Sequence, residues 1–309
     1  YNSKLRKAKV KLIISMDTTL FQRTPILDGG DPEAKREEIR RYFHTTLDRY
    51  ELLFETLVSD EAYYSKPITL RHPLIFYLGH TATFFTNKLI LARAITHRIN
   101  PRLESMFAVG VDEMSWDDLD TTHYDWPMVD EVRHYRSVMR ETVDRLITEL
   151  PITLPIGWDS PWWTIIMGIE HERIHLETSS VLIRQHALKF VKPHPHWQPC
   201  KKTGIAPENQ LVTVPAGLVQ IGKTIADATY GWDNEYGSHH AEIPSFQASR
   251  YLVSNKEFLS FVETNGYDTD QYWEPEGLGW LRHTRAQHPT FWVKQDSHWY
   301  LRLMTEVTP

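Results

Sequence analysis

The chain has 309 residues, 41% of them hydrophobic and 24% charged. That balance is typical of a soluble globular protein, and the length leaves room for about two domains. The formal net charge of −6 argues against a general nucleic-acid binder. The single cysteine, Cys200, excludes an internal disulfide and fits a reducing compartment. No run reaches the roughly 20 apolar residues that a bilayer requires. The longest uncharged stretch of the first half, between Arg71 and Lys88, carries His72 and His80.

The chain begins at Tyr1 with a basic stretch (Lys4, Arg6, Lys7, Lys9, Lys11). The apolar piece that follows, Leu12 to Met16, is too short for a signal-peptide core. No targeting signal is read, and a cytoplasmic protein that binds neither membrane nor nucleic acid is expected. Residues 1–30 are taken as an N-terminal extension, and Asp31-Pro32 opens the first helix, with Asp31 as cap and Pro32 in the first turn. Its buried stripe is Ile39, Phe43, Leu47, Tyr50, Phe54 and Leu57. His44 lies near this stripe and is read as a packed histidine.

A second helix runs from about Pro73 to Ile95. It is apolar almost all round, which places it among other helices. His80 stands in its middle. Residues 100–126 read as a loop rich in acidic and aromatic groups, including Asp112, Glu113, Trp116 and Trp126. It either lines a site or is a solvated connection. The third helix starts at Pro127 and ends near Leu150, with the stripe Met128, Val132, Tyr135, Met139, Val143 and Leu146. A fourth helix covers about 160–188. Four such helices make a bundle over 31–190, an architecture that builds metal sites from facing helices.

Residues 191–209 are Pro-rich and aperiodic and are read as a linker, His194 and His196 included. From 210 to 309 the texture changes to short glycine-punctuated strands, with one short helix around Asn255–Asn265. The expected class is therefore multidomain, α followed by α+β.

The fourth helix contains Glu170-His171-Glu172-Arg173-Ile174-His175. An α-helix turns about 100° per residue, so four residues bring His175 within roughly 40° of His171. Both imidazoles then leave one face and can share an ion. Gly168 and Ser179, one turn to either side, are small enough to admit a neighbouring helix or a ligand. The run also matches the zinc-protease pattern H-E-x-x-H, with Glu172 as general base. The extended form of that pattern would need Gly at 178 and His at 181, where the chain has Thr178 and Val181. From Thr178 to Pro207 it has no Asp or Glu, so proteolysis is disfavoured. His80 with His171 and His175 makes a different site, of three neutral ligands with open positions. Zinc there would activate water. Ferrous iron could bind a thiolate and dioxygen together. Ligand type does not choose between them.

The chain resembles the sulfoxide synthases of ovothiol biosynthesis (5-histidylcysteine sulfoxide synthases), relatives of the ergothioneine sulfoxide synthases. The residues that carry the resemblance are Thr24-Pro-Ile-Leu-Asp28 with Gly30-Asp31-Pro32, Tyr42-Phe43-His44-Thr45-Thr46 and Leu70-Arg-His-Pro-Leu-Ile-Phe-Tyr-Leu-Gly-His80-Thr. They continue with Glu170-His-Glu-Arg-Ile-His175-Leu-Glu-Thr-Ser and Tyr230-Gly-Trp-Asp-Asn-Glu-Tyr-Gly237. Together they span nearly the whole chain. The resemblance implies a DinB-like four-helix bundle followed by a domain with the fold of the formylglycine-generating, sulfatase-modifying enzymes, whose opening strand is matched by Val214-Pro-Ala-Gly217 to Gly222.

It further implies that His80, His171 and His175 hold a non-haem iron, Fe(2+). The implied reaction joins the sulfur of L-cysteine to the imidazole carbon of L-histidine with O2, leaving a sulfoxide. The ergothioneine relatives commonly carry Gln just before the last ligand. Ile174 there favours the ovothiol branch over trimethylhistidine as substrate. In the family the second domain continues past the equivalent of Pro309 and supplies a tyrosine near the iron. A C-terminally truncated chain is expected, with that tyrosine beyond its end, the substrate-pocket residues unassigned and the activity of the piece in question. The alternatives are a DinB-like metal-dependent thiol transferase at the same histidines and a non-catalytic fragment.

Overall fold

The computed structural model describes residues 23–108, 124–200 and 204–309. Four long helices build the first half: α1 (Pro32–Phe54), α3 (Leu74–Leu91), α5 (Val129–Glu149) and α6 (Pro161–Gln185). Two short ones, α2 (Glu61–Tyr64) and α4 (Pro101–Met106), fill the connections. The first and last of the long helices start at clear sequence signals. The Asp31 carboxylate accepts from the amides of Glu33 and Ala34 at 3.0 and 3.2 Å, and Pro32 takes the first turn. Ser160 caps α6 in the same way, ahead of Pro161.

The four helices form a square. α6 packs between α1 and α3, and α5 packs against the same two from the other side. The centre is filled by Phe43, Leu47, Tyr50, Phe54, Phe76, Phe85, Met139, Val143, Ile165 and Ile169. Gly168 is the close approach between α6 and α3: a Cβ there would lie 2.2 Å from the ring of Phe85, which is itself 1% exposed. The small residue thus admits a neighbouring helix, and Ser179 one face further along meets the hydroxyl of Tyr50 at 3.2 Å. Gly168→Ala is expected to destabilise the fold. Overpacking costs about 1–3 kcal/mol, against roughly 1 kcal/mol gained in helix propensity. A melting curve reads the balance, and an unchanged or raised Tm would show that Phe85 can move aside.

Three expectations need correction. Part of the supposed loop 100–126 is helical, because Asn100 caps Leu103 at 3.2 Å, Pro101 takes the first turn, and Glu104 folds back onto the amides of Ile99 and Asn100, both at 2.8 Å. The acidic residues Asp112 to Asp120 and Trp116 lie outside the described residues. Met128 is not in the stripe of the third helix; it precedes the first turn and is 70% exposed. The second helix stops at Leu91, where Arg93 turns into the left-handed region.

Val191, first residue of the expected linker, is buried and bridges to Leu57, while the amide of Lys192 donates to Thr56 at 2.8 Å. The second half has two antiparallel ribbons and one three-stranded sheet. β1 (Leu211–Val214) pairs with β4 (Phe246–Ser249), and β2 (Gly217–Ile221) pairs with β3 (His239–Ile243). β5 (Trp292–Gln295), β6 (His298–Arg302) and β7 (Val307–Thr308) form the sheet. Helices α7 (Asn255–Glu263) and α8 (Pro275–Thr284) lie between. Two joints tie this half to the bundle. Leu27 donates to Ala228 at 2.6 Å and accepts from Ile156 at 2.8 Å, so residues 24–28 strap the halves together. Arg302 donates to the carbonyl of His186 at 2.8 Å and accepts at its own carbonyl from Arg184 at 2.9 Å. Among the described residues no helix is long and apolar enough to cross a membrane.

Candidate metal centre

α3 and α6 are neighbours, and their contact brings His80 of α3 against His171 and His175 of α6. One ring nitrogen of each lies within 4.8 Å of the others. Small side-chain rotations would close that spacing onto one ion, with metal–nitrogen bonds of about 2.0–2.1 Å. All three residues are at most 9% exposed. Among the described residues no other such group of histidine, cysteine or carboxylate ligands forms. His44 instead donates to Asp144 at 2.6 Å and accepts from Arg140, a packed and hydrogen-bonded histidine. His194 lies 3.2 Å from Glu55 and next to His196, against the end of the bundle.

The rings are held from outside. Nδ1 of His80 is 2.7 Å from the carbonyl of Phe107. A carbonyl can only accept, so Nδ1 carries a proton and Nε2 is the nitrogen left to face an ion, the arrangement that orients metal-binding histidines. Gly79 makes room for this: a Cβ there would lie 2.3 Å from the Phe107 ring. Phe84 lies flat on His171, with centroids 3.7 Å apart and planes 8° apart, and Phe76 stacks on His80 at 5.1 Å. Nothing in the spacing pattern pointed to Phe84 or to the Phe107 carbonyl; both came from the folding of two helices and a short connection against each other.

Burial, together with the neighbouring imidazoles His175 and His80, holds His171 well below the ordinary histidine range. Burial, helped by His80, pulls His175 down to about 3. The imidazoles are therefore neutral near pH 7, the form that ligates metals. Nδ1 of His171 and Nδ1 of His175 are buried without a hydrogen-bond partner among the described residues. An unsatisfied buried nitrogen is costly, and a cation held between the rings is the partner such a donor set is suited to.

The same shifts fix a pH dependence for the metal-free protein. The unfolded chain binds protons at these histidines below about 6.5, whereas the folded chain resists them. Stability is thus fully present above pH 6.5 and is lost as pH falls toward the folded value. For His175 the loss is roughly 2 kcal/mol between pH 6.5 and 5. Urea denaturation of the metal-free protein at the two pH values measures it; equal midpoints would mean that the rings are solvated.

Glu172 does not face the ion site. It is 0% exposed, and its Oε1 accepts from Nη2 of Arg136 at 2.7 Å, across the diagonal of the bundle from α5. Arg136 is 3% exposed and also bonds Glu51, the hydroxyl of Thr81 at 2.6 Å and the carbonyl of Leu78 at 2.9 Å. Burial lowers the Arg136 guanidinium, but the carboxylates of Glu172 and Glu51 outweigh it and raise it above its usual value. No signal in the sequence singled out Arg136. Its ion pair ties Oε1 of Glu172 to the opposite helix, which weighs against a free general base at the three histidines. Trp232 to Glu235 form a capped turn, in which the Glu235 carboxylate accepts from the amide of Trp232 at 2.7 Å.

Residues 42–179 match the DinB superfamily, and residues 199–304 match the sulfatase-modifying factor enzyme 1-like domain. The fold is accordingly a DinB-like helical domain followed by a sulfatase-modifying-factor-like domain with small sheets. The chain is homologous to Ergothioneine biosynthesis protein 1 of Neurospora crassa, with 26% identity over 246 residues, 72% of this chain and 28% of that protein. It is likewise homologous to the hercynine oxygenase of Mycolicibacterium smegmatis, with 26% identity over 62% of this chain and 44% of that protein. Against Ergothioneine biosynthesis protein 1 of Schizosaccharomyces pombe it is 23% identical over 82% of this chain and 34% of that protein. The chain thus spans between 28% and 44% of the length of these relatives.

Proposed function

We propose that this chain carries the metal-binding part of a non-haem iron(II) sulfoxide synthase, with His80, His171 and His175 as ligands, L-cysteine and L-histidine as substrates and O2 as oxidant. The observation that carries the reading is the buried trio of imidazoles, within 4.8 Å of one another, in a chain homologous to a hercynine oxygenase. Bound there, iron(II) would supply an open position for a thiolate and one-electron chemistry toward dioxygen.

The chain's own residues do the rest. Phe76 and Phe84 shield His80 and His171 on one ring face each. The carbonyl of Phe107 holds the His80 proton away from the ion. Three imidazole ligands leave the ion its full charge, half of which an anionic thiolate would offset. The overall change also balances. The thiol S–H and the imidazole C–H are lost, the C–S and S–O bonds form, and dioxygen takes the four electrons, ending as the sulfoxide oxygen and one water.

The choice of histidine over the N-trimethylated substrate rests on Ile174. It precedes the last ligand and is 44% exposed, outside the bundle core. The relatives' names point to hercynine, and the two substrates are told apart by experiment. Anaerobic loading with iron(II), then cysteine with either histidine or hercynine and air, is expected to give a histidine–cysteine adduct carrying one added oxygen by mass spectrometry. Adduct from hercynine alone would overturn the substrate. Stoichiometric iron without any adduct would limit this chain to metal binding, and tight zinc with no iron would move it to thiol transfer.

A further inference from the structure

From His80 a file of aromatic rings leads outward through the bundle wall. Phe76, stacked on His80, is 6.2 Å from the ring of Trp126. Phe107, whose carbonyl accepts from His80, stacks on Trp126 at 6.1 Å with planes 17° apart. His72 meets Phe76 at 4.3 Å and Trp126 at 6.0 Å. Tyr124 then stacks on Trp126 at 4.7 Å and 13°, and is only half-buried. Two independent connections, one through the Phe76 ring and one through the Phe107 backbone and ring, therefore join the ion site to one indole, and that indole touches one partly exposed phenol.

The indole, packed on Phe76, Phe107 and Tyr124, carries a polar group that these ring contacts do not use. Nε1 of Trp126 is buried and has no hydrogen-bond partner among the described residues, a desolvation cost that phenylalanine would avoid. Indole and phenol are also the two side chains of this file that give up an electron most readily. They stand in the useful order, with the phenol outermost, where its proton can leave to water.

We propose that Trp126 and Tyr124 are an oxidation relay, which carries an electron hole from the ion site to the surface when dioxygen or a peroxide oxidises the metal with no substrate to consume the oxidising power. The proposal rests on the iron reading above. In the first step one electron passes from the Trp126 indole to the oxidised metal, leaving an indole radical cation and a metal reduced by one electron. In the second, Tyr124 gives an electron to Trp126 and a proton to water, becoming a phenoxyl radical. A free thiol then returns a hydrogen atom to Tyr124 and leaves as a thiyl radical. The metal site is returned toward its resting state, and the rings against it escape oxidation.

The test uses the iron(II)-loaded chain with hydrogen peroxide, which oxidises bound iron whether or not the chain performs C–S chemistry. Freeze-quench electron paramagnetic resonance and peptide mass spectrometry are the readouts. The wild type is expected to show a tyrosyl signal that Tyr124→Phe converts into a longer-lived tryptophanyl signal. Trp126→Phe, which keeps an aromatic ring of smaller size, is expected to lose both signals and to raise oxygen insertion at Phe76, Tyr77 and Phe84 several-fold. Trp126→Tyr, redox-active again, is expected to bring the damage back down. Radical signals and damage unchanged in all three variants would overturn the relay, even if adduct forms normally. A working relay with no adduct from cysteine and either imidazole substrate would sink only the functional reading. Failure of His80, His171 and His175 to bind iron would sink both.

Discussion

Replacing any one of His80, His171 or His175 with alanine is expected to abolish stoichiometric binding of a divalent ion. The three nitrogens cluster within 4.8 Å, and a trio has no spare member. Loss of an outer partner of a ligand already costs about 10–100-fold in metal affinity, so loss of a ligand itself should cost more. Metal content after anaerobic loading and desalting gives the result directly. Circular dichroism controls for folding, which should survive, because removing a buried neutral imidazole leaves no unpaired charge. The effect should be similar for the three positions, since each contributes one nitrogen. If His80→Ala keeps its metal, the site is confined to α6 and the third ligand must be sought elsewhere.

Glu172→Gln is expected to destabilise the fold rather than to switch off a reaction. The carboxylate is paired with Arg136 in the centre of the bundle, at 0% and 3% exposure. Breaking a buried pair from one side costs about 3–5 kcal/mol, because the remaining charge stays desolvated. Arg136 would keep Glu51, Thr81 and the carbonyl of Leu78, which places the expected loss toward the lower end. Urea denaturation measures it. Joint replacement of both residues, Arg136→Met with Glu172→Leu, should recover part of the loss, as the coupling of a contacting pair requires. Metal content should be retained in Glu172→Gln. Peptide hydrolysis by the wild type that Glu172→Gln removes, at unchanged stability, would restore the zinc-protease reading.

The stretch between the two ligands of α6 shows where sequence reasoning stops. His171-Glu172-Arg173-Ile174-His175 specifies by helical geometry alone that two imidazoles share a face, and the structure has them there. The pattern is silent on Glu172, because whether a carboxylate on the next face meets an ion, water or an arginine depends on what the opposite helix presents. Here it presents Arg136, 36 residues earlier in the chain. Asn100-Pro101 was a local helix start that could have been read, since cap and first-turn proline are both in the sequence. Met128 misled because a helical stripe continued one turn too far looks the same on paper as one that has ended.

What the sequence determined by itself was local and periodic. Asp31-Pro32 and Ser160-Pro161 start helices, apolar residues at 3-to-4 spacing give each helix a buried side, and the change of texture after 210 separates a helical half from a half of short strands. These follow from backbone geometry and from the energetics of covering apolar surface, which need only near neighbours. Tertiary structure decided how closely His80 meets His171 and His175, that the Phe107 carbonyl holds the His80 Nδ1 proton, that Arg136 pairs with Glu172, and that residues 24–28 strap the two halves together. Each of these is a contact between segments far apart in the chain. It depends on the crossing of helices and on small residues such as Gly79 and Gly168 that let them approach, and no repeat in the sequence encodes it.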